Sequence, residues 1–325
     1  MRDAFAQRLF ELATHDKRIV LLSGDIGNRM FDRFKQAFPD RFYNCGVAEA
    51  NMMGTAAGLA LGGLRPVVYT IVPFVTTRCL EQIRVDICYH RQPVVIVGVG
   101  GGLAYASLGA THHACEDVAL LRVLPHMQVI CPADRPETRA ALSAALGQSD
   151  PVYIRLGKKG EPTVHTQEPT LVIGQAIPIR AGREVIILST GTLLPQALET
   201  ADSLQAAGIS TGVVSFPTVK PLDETCLETV FSQYLLVVTL EEHSIIGGLG
   251  GAVAEWLSER WWRSPMPTSR TAQLLRCGTP DAFLHEAGEQ SEARQLWGLE
   301  PLQLAQKIQS ALKKLSSPAS LPSTK

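Results

Sequence analysis

A carboxylate, an aromatic ring, two histidines and an arginine stand out in the first half of the chain as groups that could do chemistry. Glu49 lies in GVAEANMMGTAAGLALGG (Gly46–Gly63), where it is the single acidic residue at the head of a helix that is otherwise small or apolar. A helix N-terminus favours a carboxylate. Glu49 can therefore be an acid–base group or simply a stabilising first-turn acid. In TIVPFVTTR (Thr70–Arg78), Phe74 follows a proline at a strand-to-helix corner. Parallel sheets place ligands at such strand ends, so the ring is either a stacking face or a core aromatic. The run GVGGGLAYASLGATHHA (Gly98–Ala114) is a Gly-rich loop after a strand. Leu103 fills the last position of a dinucleotide G-x-G-x-x-G and no G-K-[ST] follows, so neither phosphate-binding motif is present. His112 and His113 are adjacent, so their side chains diverge and make poor joint metal ligands. One of them on this loop could be a substrate donor or a proton shuttle. Arg155 sits inside the apolar strand PVYIRLG and needs a partner. That partner is either a carboxylate or an anion held bidentately in a cleft.

The elements that must position these groups alternate. A helix over residues 1–17 has Phe5, Leu9, Phe10, Leu12 and Ala13 near one face. IVLLSGD, RPVVYTIV, QPVVIVGVGG, MQVICPA and PVYIRLG read as buried strands. Between them lie helices over Ala50–Gly63, Phe74–His90, Glu116–Leu124 and Pro136–Leu146. Such alternation predicts an α/β fold with a doubly wound parallel sheet covered on both faces. KKGEPTVHTQEPT is polar with two prolines and reads as a linker. A second, mostly parallel α/β unit follows, through EVIILSTGT, the helix Leu193–Ala207, the strand segment Ser210–Asp223, LLVVTLEEH and the helix Gly247–Arg260. The expected division is a first domain over 1–160, a linker over 161–174, a second domain over 175–315 and a disordered polar tail over 316–325.

The bulk composition narrows the function. The chain has 325 residues, 46% hydrophobic and 19% charged, as two globular domains require. A formal net charge of −1 offers no basic field for nucleic acid or an anionic membrane. The seven scattered cysteines contain no C-x-x-C pair, so free thiols in a reducing cytoplasm are expected. No uninterrupted apolar stretch reaches the roughly eighteen residues that span a membrane.

In order and spacing, these motifs resemble the pyrimidine-binding domain of the transketolase family, over roughly residues 1–157. That family includes transketolase, 1-deoxyxylulose-5-phosphate synthase and the β subunits of pyruvate-type dehydrogenases. The remainder, with TLEEHSIIGGLGGAV, resembles the family's C-terminal domain. The resemblance implies thiamine diphosphate with Mg²⁺ as cofactors, and a role for each matching residue. Glu49 matches the glutamate that hydrogen-bonds the aminopyrimidine ring. A proton delivered there drives the amino group to its imino form, which can take the thiazolium C2 proton and leave an ylide to attack a ketose carbonyl. Phe74 matches the aromatic that stacks on the pyrimidine, and Asp25 in SGDIG an acidic position near the cofactor. His112 matches the histidine of the G-P-T-H-Q motif, which contacts substrate oxygens. Arg155 matches the strand arginine that grips a substrate phosphate.

Two departures shape the expected function. The family's D-G-P-T-H-Q reads Leu108-Gly109-Ala110-Thr111-His112-His113 here. Leu108 replaces the acid that reads a sugar hydroxyl in transketolases, which argues against ordinary pentose or hexose phosphates and for a donor or acceptor lacking a hydroxyl, or a different binding pose. His113 stands where Gln would, as a possible compensating donor in the substrate site. The metal- and diphosphate-binding G-D-G…N motif is also missing, since Gly24-Asp25-Ile26-Gly27-Asn28 comes too early in the chain and lacks the second Gly beside Asp. No metal site is expected in this chain. The resemblance therefore implies a separate diphosphate-binding subunit that holds the metal and diphosphate, in an α2β2 heterotetramer acting on a sugar or sugar phosphate. The expected reaction is transfer of a two-carbon ketol unit. The alternatives are a synthase-like or 2-oxoacid-dehydrogenase-like carboligase or decarboxylase, and an inactive assembly paralogue.

Overall fold

The computed structural model describes residues 1–27, 29–263 and 272–316. Among the described residues twelve strands form two sheets. In chain order they are β1 (Ile19–Ser23), β2 (Phe42–Asn44), β3 (Arg65–Ile71), β4 (Val95–Val99), β5 (Gln128–Ile130), β6 (Val152–Leu156), β7 (Ile177–Arg180), β8 (Val185–Ser189), β9 (Thr211–Ser215), β10 (Thr218–Lys220), β11 (Leu236–Ser244) and β12 (Gln273–Thr279). The first sheet has the order β10-β5-β6-β4-β3-β1-β2 and the second β12-β11-β8-β9-β7. Pairing is parallel except where β10 meets β5 and β7 meets β9. Every residue of β1, β4, β6, β8 and β9 is buried, which is why those strands read as continuous apolar runs.

Two sequence expectations need correction. Ser210–Asp223 is two strands in different sheets. β9 belongs to the second sheet, whereas β10 crosses over and pairs with β5 of the first, Thr218 opposite Ile130. Pro217 lies at the crossover, where a residue without an N–H cannot continue a ladder; its carbonyl accepts the Cys131 N–H at 2.7 Å. Nor is Phe74–His90 a single helix. It is a short α turn (Val72–Val75), a 3₁₀ turn (Thr77–Cys79), another α turn (Leu80–Gln82) and a π-helical stretch (Ile83–Tyr89). Thr76 breaks the run with φ −111° and ψ −81°. Its hydroxyl donates to the Val72 carbonyl at 2.7 Å, the local competition by which threonine weakens helices.

The segment between β6 and β7 contains no helix or strand, and its backbone N–H groups and side chains tie it to the first sheet's helices. Val164 N–H and His165 N–H donate to Asp134 Oδ2 at 2.9 and 2.8 Å. Glu168 pairs with Arg139 at 2.9 Å. One apolar cluster runs from Met52, Ile83 and Ile96 beside the first sheet to Phe216, Val237 and Leu249 beside the second. The seven cysteines are free thiols. Among the described residues no helix is long and apolar enough to cross a membrane. Residues 317–325 of the expected polar tail lie outside the described residues, and residue 316 closes the helix Pro301–Ser316.

Candidate active site

The ends of β1, β2, β3 and β4 lead into the segments that carry Asp25, Glu49, Phe74 and His112, as expected of a parallel sheet. β1 ends at Ser23-Gly24, and Gly24 permits a close approach. A Cβ there would lie 3.1 Å from both Thr70 Cβ and Thr70 Oγ1, and 3.5 Å from Glu49 Cγ. Asp25 follows with φ 56°, exposed to solvent. Its Oδ1 accepts the Asn44 side-chain amide at 2.9 Å, and Asn44 Oδ1 accepts the Gly46 N–H at 3.0 Å. Asp25 thus braces the turn that leads into the Glu49–Leu61 helix.

Glu49 is the first residue of that helix and is only 2% exposed. Its Oε2 accepts a 2.8 Å hydrogen bond from Arg78 Nη1. Arg78 Cζ lies 4.2 Å from the centroid of the Phe74 ring. The break at Thr76 returns Arg78 over the ring that precedes it by four residues. Phe74 in turn meets His112 edge to face, with centroids 5.2 Å apart. Glu49, Arg78, Phe74 and His112 therefore form one continuous group. Tyr105 extends it, its ring centroid 5.8 Å from that of His112 and Lys158 Nζ 4.5 Å above its own ring. Thr70 Oγ1 is buried and makes no hydrogen bond.

The two histidines diverge. His112 Nδ1 lies 2.9 Å from Thr111 Oγ1. Loss of solvent around it, reinforced by the charge of His113, holds its pKa below the usual histidine value, so near neutral pH the ring is an uncharged donor and acceptor. His113 turns inward, with Nε2 3.3 Å from the Ala106 carbonyl. It lines a separate cavity of about 300 Å³ with Cys115, Glu116, Ser244, Phe283 and Trp297. Leu108 is 52% exposed in a 3₁₀ turn of the same loop.

Arg155 takes the first of its two possible partners. It is buried, with Nε 2.9 Å from Asp117 Oδ2, and its Nη2 donates to the carbonyls of Ala114 (2.6 Å) and Glu242 (3.0 Å). A carboxylate and two carbonyls hold it, which favours a structural role over anion binding in an open cleft. Sequence reasoning missed Arg78 and Tyr105 as members of the group. Arg78 ends the TIVPFVTTR motif and is its sole charge, which was the available signal.

Residues 1–162 match the transketolase pyrimidine-binding domain, and residues 174–302 match the transketolase C-terminal domain. A putative transketolase C-terminal section from Methanocaldococcus jannaschii is 35% identical, covering 97% of this chain and 96% of that protein. The chain belongs to the transketolase family. A 6-deoxy-6-sulfo-D-fructose transketolase subunit from Clostridium sp. (strain MSTE9) is 36% identical over 92% of this chain and 90% of its own length. Among solved structures, a split-gene transketolase described as an inactive β4 tetramer superposes with a TM-score of 0.85 at 38% identity, covering 96% of this chain and 97% of that one. Apart from β10, the first sheet lies within the pyrimidine-binding match and the second sheet within the C-terminal match, the two domains of a thiamine-dependent transferase family.

Proposed function

We propose that this chain is the C-terminal subunit of a two-chain transketolase-type enzyme that moves a two-carbon ketol unit between sugars. The observation that carries this reading is the continuous group formed by Glu49, Arg78, Phe74 and His112. Glu49, Phe74 and His112 fit the aminopyrimidine half of thiamine diphosphate. A buried carboxylate offers an acceptor, Phe74 offers an aromatic face, and the unpartnered hydroxyl of Thr70 stands against Gly24 beside Glu49. When bound, the cofactor supplies the nucleophilic carbon and the electron sink. Glu49 would hold the proton shared with a ring nitrogen. Phe74 would fix the ring plane. His112, uncharged near neutral pH, would donate to or accept from a substrate oxygen, and Tyr105 would help exclude water from that side. Asp25 would act at one remove, by holding the turn before Glu49.

The reading assigns Mg²⁺ and the diphosphate to a separate subunit, in an α2β2 assembly in the cytoplasm. Its support is that relatives of nearly this length are described as a subunit, a C-terminal section and a split-gene transketolase. The domain boundaries near 160 and 175 are part of the same proposal. The experiment is to combine the purified chain with its diphosphate-binding subunit, thiamine diphosphate and Mg²⁺, and to assay ketol transfer from a panel of ketose and ketose phosphate donors. Transfer that requires both chains supports the reading; a combined preparation inactive on every donor opposes it. A pyruvate donor is the second reading, favoured by Leu108 in place of a hydroxyl-reading acid. Including pyruvate with an aldehyde acceptor in the panel separates the two.

A further inference from the structure

Arg78 makes the two contacts that the reading above assigns to an aminopyrimidine ring. Its Nη1 donates to Glu49 Oε2 at 2.8 Å, and its guanidinium carbon lies 4.2 Å from the centroid of the Phe74 ring. A guanidinium is flat, delocalised and cationic, and it stacks on aromatic faces while donating N–H groups to carboxylates. A protonated aminopyrimidine is likewise flat, cationic and edged with N–H donors. The edge-to-face His112, with its centroid 5.2 Å away, takes up another part of the space around Phe74. A ring stacked on the face of Phe74 that Arg78 covers would take the place of the guanidinium.

The burial is asymmetric. The Glu49 side chain is 2% exposed and the Arg78 side chain 44% exposed. Arg78 therefore reaches from solvent onto a buried carboxylate that would otherwise stand unpaired at substantial cost. Among the described residues, Glu49 is the one hydrogen-bond partner of this guanidinium. Its backbone sits in a 3₁₀ turn after a break at Thr76, so the side chain can swing outward without unwinding a regular helix.

We propose that Arg78 is a built-in occupant of the pyrimidine site. It keeps Glu49 paired in the cofactor-free chain and withdraws when the cofactor ring enters. This inference rests on the pyrimidine reading of Glu49 and Phe74. Its consequence is a lowered intrinsic affinity for the ring. The chain alone then retains little cofactor, and tight binding waits for the contacts that hold the diphosphate.

The test uses the full-length chain labelled with ¹⁵N-arginine, with 4-amino-5-hydroxymethyl-2-methylpyrimidine and thiamine as probes. The Nε–H signal of Arg78, displaced by the Phe74 ring and identified by its absence in Arg78→Gln, is expected to move toward the position of a free arginine as either probe saturates. Arg78→Gln is expected to bind the probes roughly tenfold more tightly, from the ion-pair and cation–π contacts that no longer compete. Arg78→Lys keeps the charge without the flat stacking group and is expected to fall between the two, which covers the case in which the Gln variant folds poorly. Glu49→Gln in the same titration tests the underlying reading. If the probe binds in a Glu49-dependent way while the Arg78 signal stays fixed, or if Arg78→Gln binds no tighter, the displacement proposal is overturned and the site reading stands. If neither probe binds any form of the chain, or binding ignores Glu49→Gln, both fall together.

Discussion

Arg155 and Asp117 meet inside the protein with Nε 2.9 Å from Oδ2, the two side chains 6% and 2% exposed. The same Asp117 oxygen accepts the Tyr153 hydroxyl at 2.6 Å. Breaking a buried pair by removing one partner typically costs about 3–5 kcal/mol. Arg155→Met should lower the unfolding free energy of the isolated chain by that order, read from urea titration. An arginine that served mainly to grip a substrate phosphate would behave otherwise, raising KM for phosphorylated sugars and leaving stability unchanged.

Glu49→Gln keeps the size of the side chain and one acceptor oxygen but cannot deliver a proton to a ring nitrogen. In the two-chain enzyme its turnover should fall by a factor of roughly 10²–10⁴, the range for loss of a positioned acid–base group. The circular dichroism spectrum and elution volume should match those of the unsubstituted chain. An unchanged rate would remove Glu49 from the chemistry.

The legible parts of this protein were those written in local chemistry. Strands such as Ile19–Ser23 and Val95–Val99 are buried along their whole length, and uninterrupted apolar runs announce that condition. The strand Phe42–Asn44 is three residues long and mostly exposed, so no apolar run marks it. The crossover at Pro217 was hidden because sheet membership depends on which edge is free, and that is a tertiary property. At the site, Glu49 was visible as the one acid at a helix head, Phe74 as an aromatic at a strand end and His112 as a histidine on a Gly-rich loop after a strand. Arg78 was passed over because its role depends on the irregular turn at Thr76, where a regular helix was the simpler reading of Phe74–His90. Arg155 was ambiguous in sequence because Asp117, thirty-eight positions away, could not be paired with it by spacing.

Glu242 joins the two halves of the molecule. Its Oε1 accepts the Leu103 N–H and the Gln290 side-chain amide, each at 2.7 Å, while its Oε2 pairs with Arg294. Glu242→Gln would keep the acceptor for Leu103 but turn an amide toward the Arg294 guanidinium. Charged hydrogen bonds of this kind are worth about 1.5–3 kcal/mol each, so a stability loss of that size is expected. A double-mutant cycle with Arg294→Gln should return a coupling energy above 1 kcal/mol, the sign of a direct contact.

Glu241 gives the fold a dependence on pH. It is fully buried, and that burial pushes its carboxyl from about 4.5 up to about 7, even though the N–H groups of Leu249 and Gly250 donate to it at 2.7 Å. In the unfolded chain this carboxyl gives up its proton near pH 4.5, in the folded chain near 7. Between those values the folded state holds the extra proton, so the contribution of Glu241 to stability falls as pH rises and levels off above 7. The linked loss is about 3 kcal/mol across the window. Comparing urea unfolding of the unsubstituted chain and Glu241→Gln at several pH values isolates it. The difference between the two should shift by that amount from pH 4.5 to 7, and a constant difference would show that Glu241 does not titrate there.

Two glycines of the loop between β4 and the Asp117–Arg122 helix separate backbone strain from crowding of the site. Gly100 has φ +83°, and a Cβ there would fall 2.0 Å from Tyr105 Cε2. Gly109 has φ +76°, with nothing within 4 Å of its Cβ position. Alanine at either position is forced to a positive φ, and Gly109, with ψ −171°, lies where glycine is essentially the one residue found, so backbone strain of roughly 1–3 kcal/mol is expected in both variants. Only Gly100→Ala must also push the Tyr105 ring, which stands 5.8 Å from His112. If Tyr105 and His112 line the substrate path, Gly100→Ala should raise KM for the ketose donor several-fold more than Gly109→Ala does, and it should shift the His112 ring proton resonances. Equal KM values for the two variants would confine Tyr105 to a packing role and leave His112 to act with Phe74 alone.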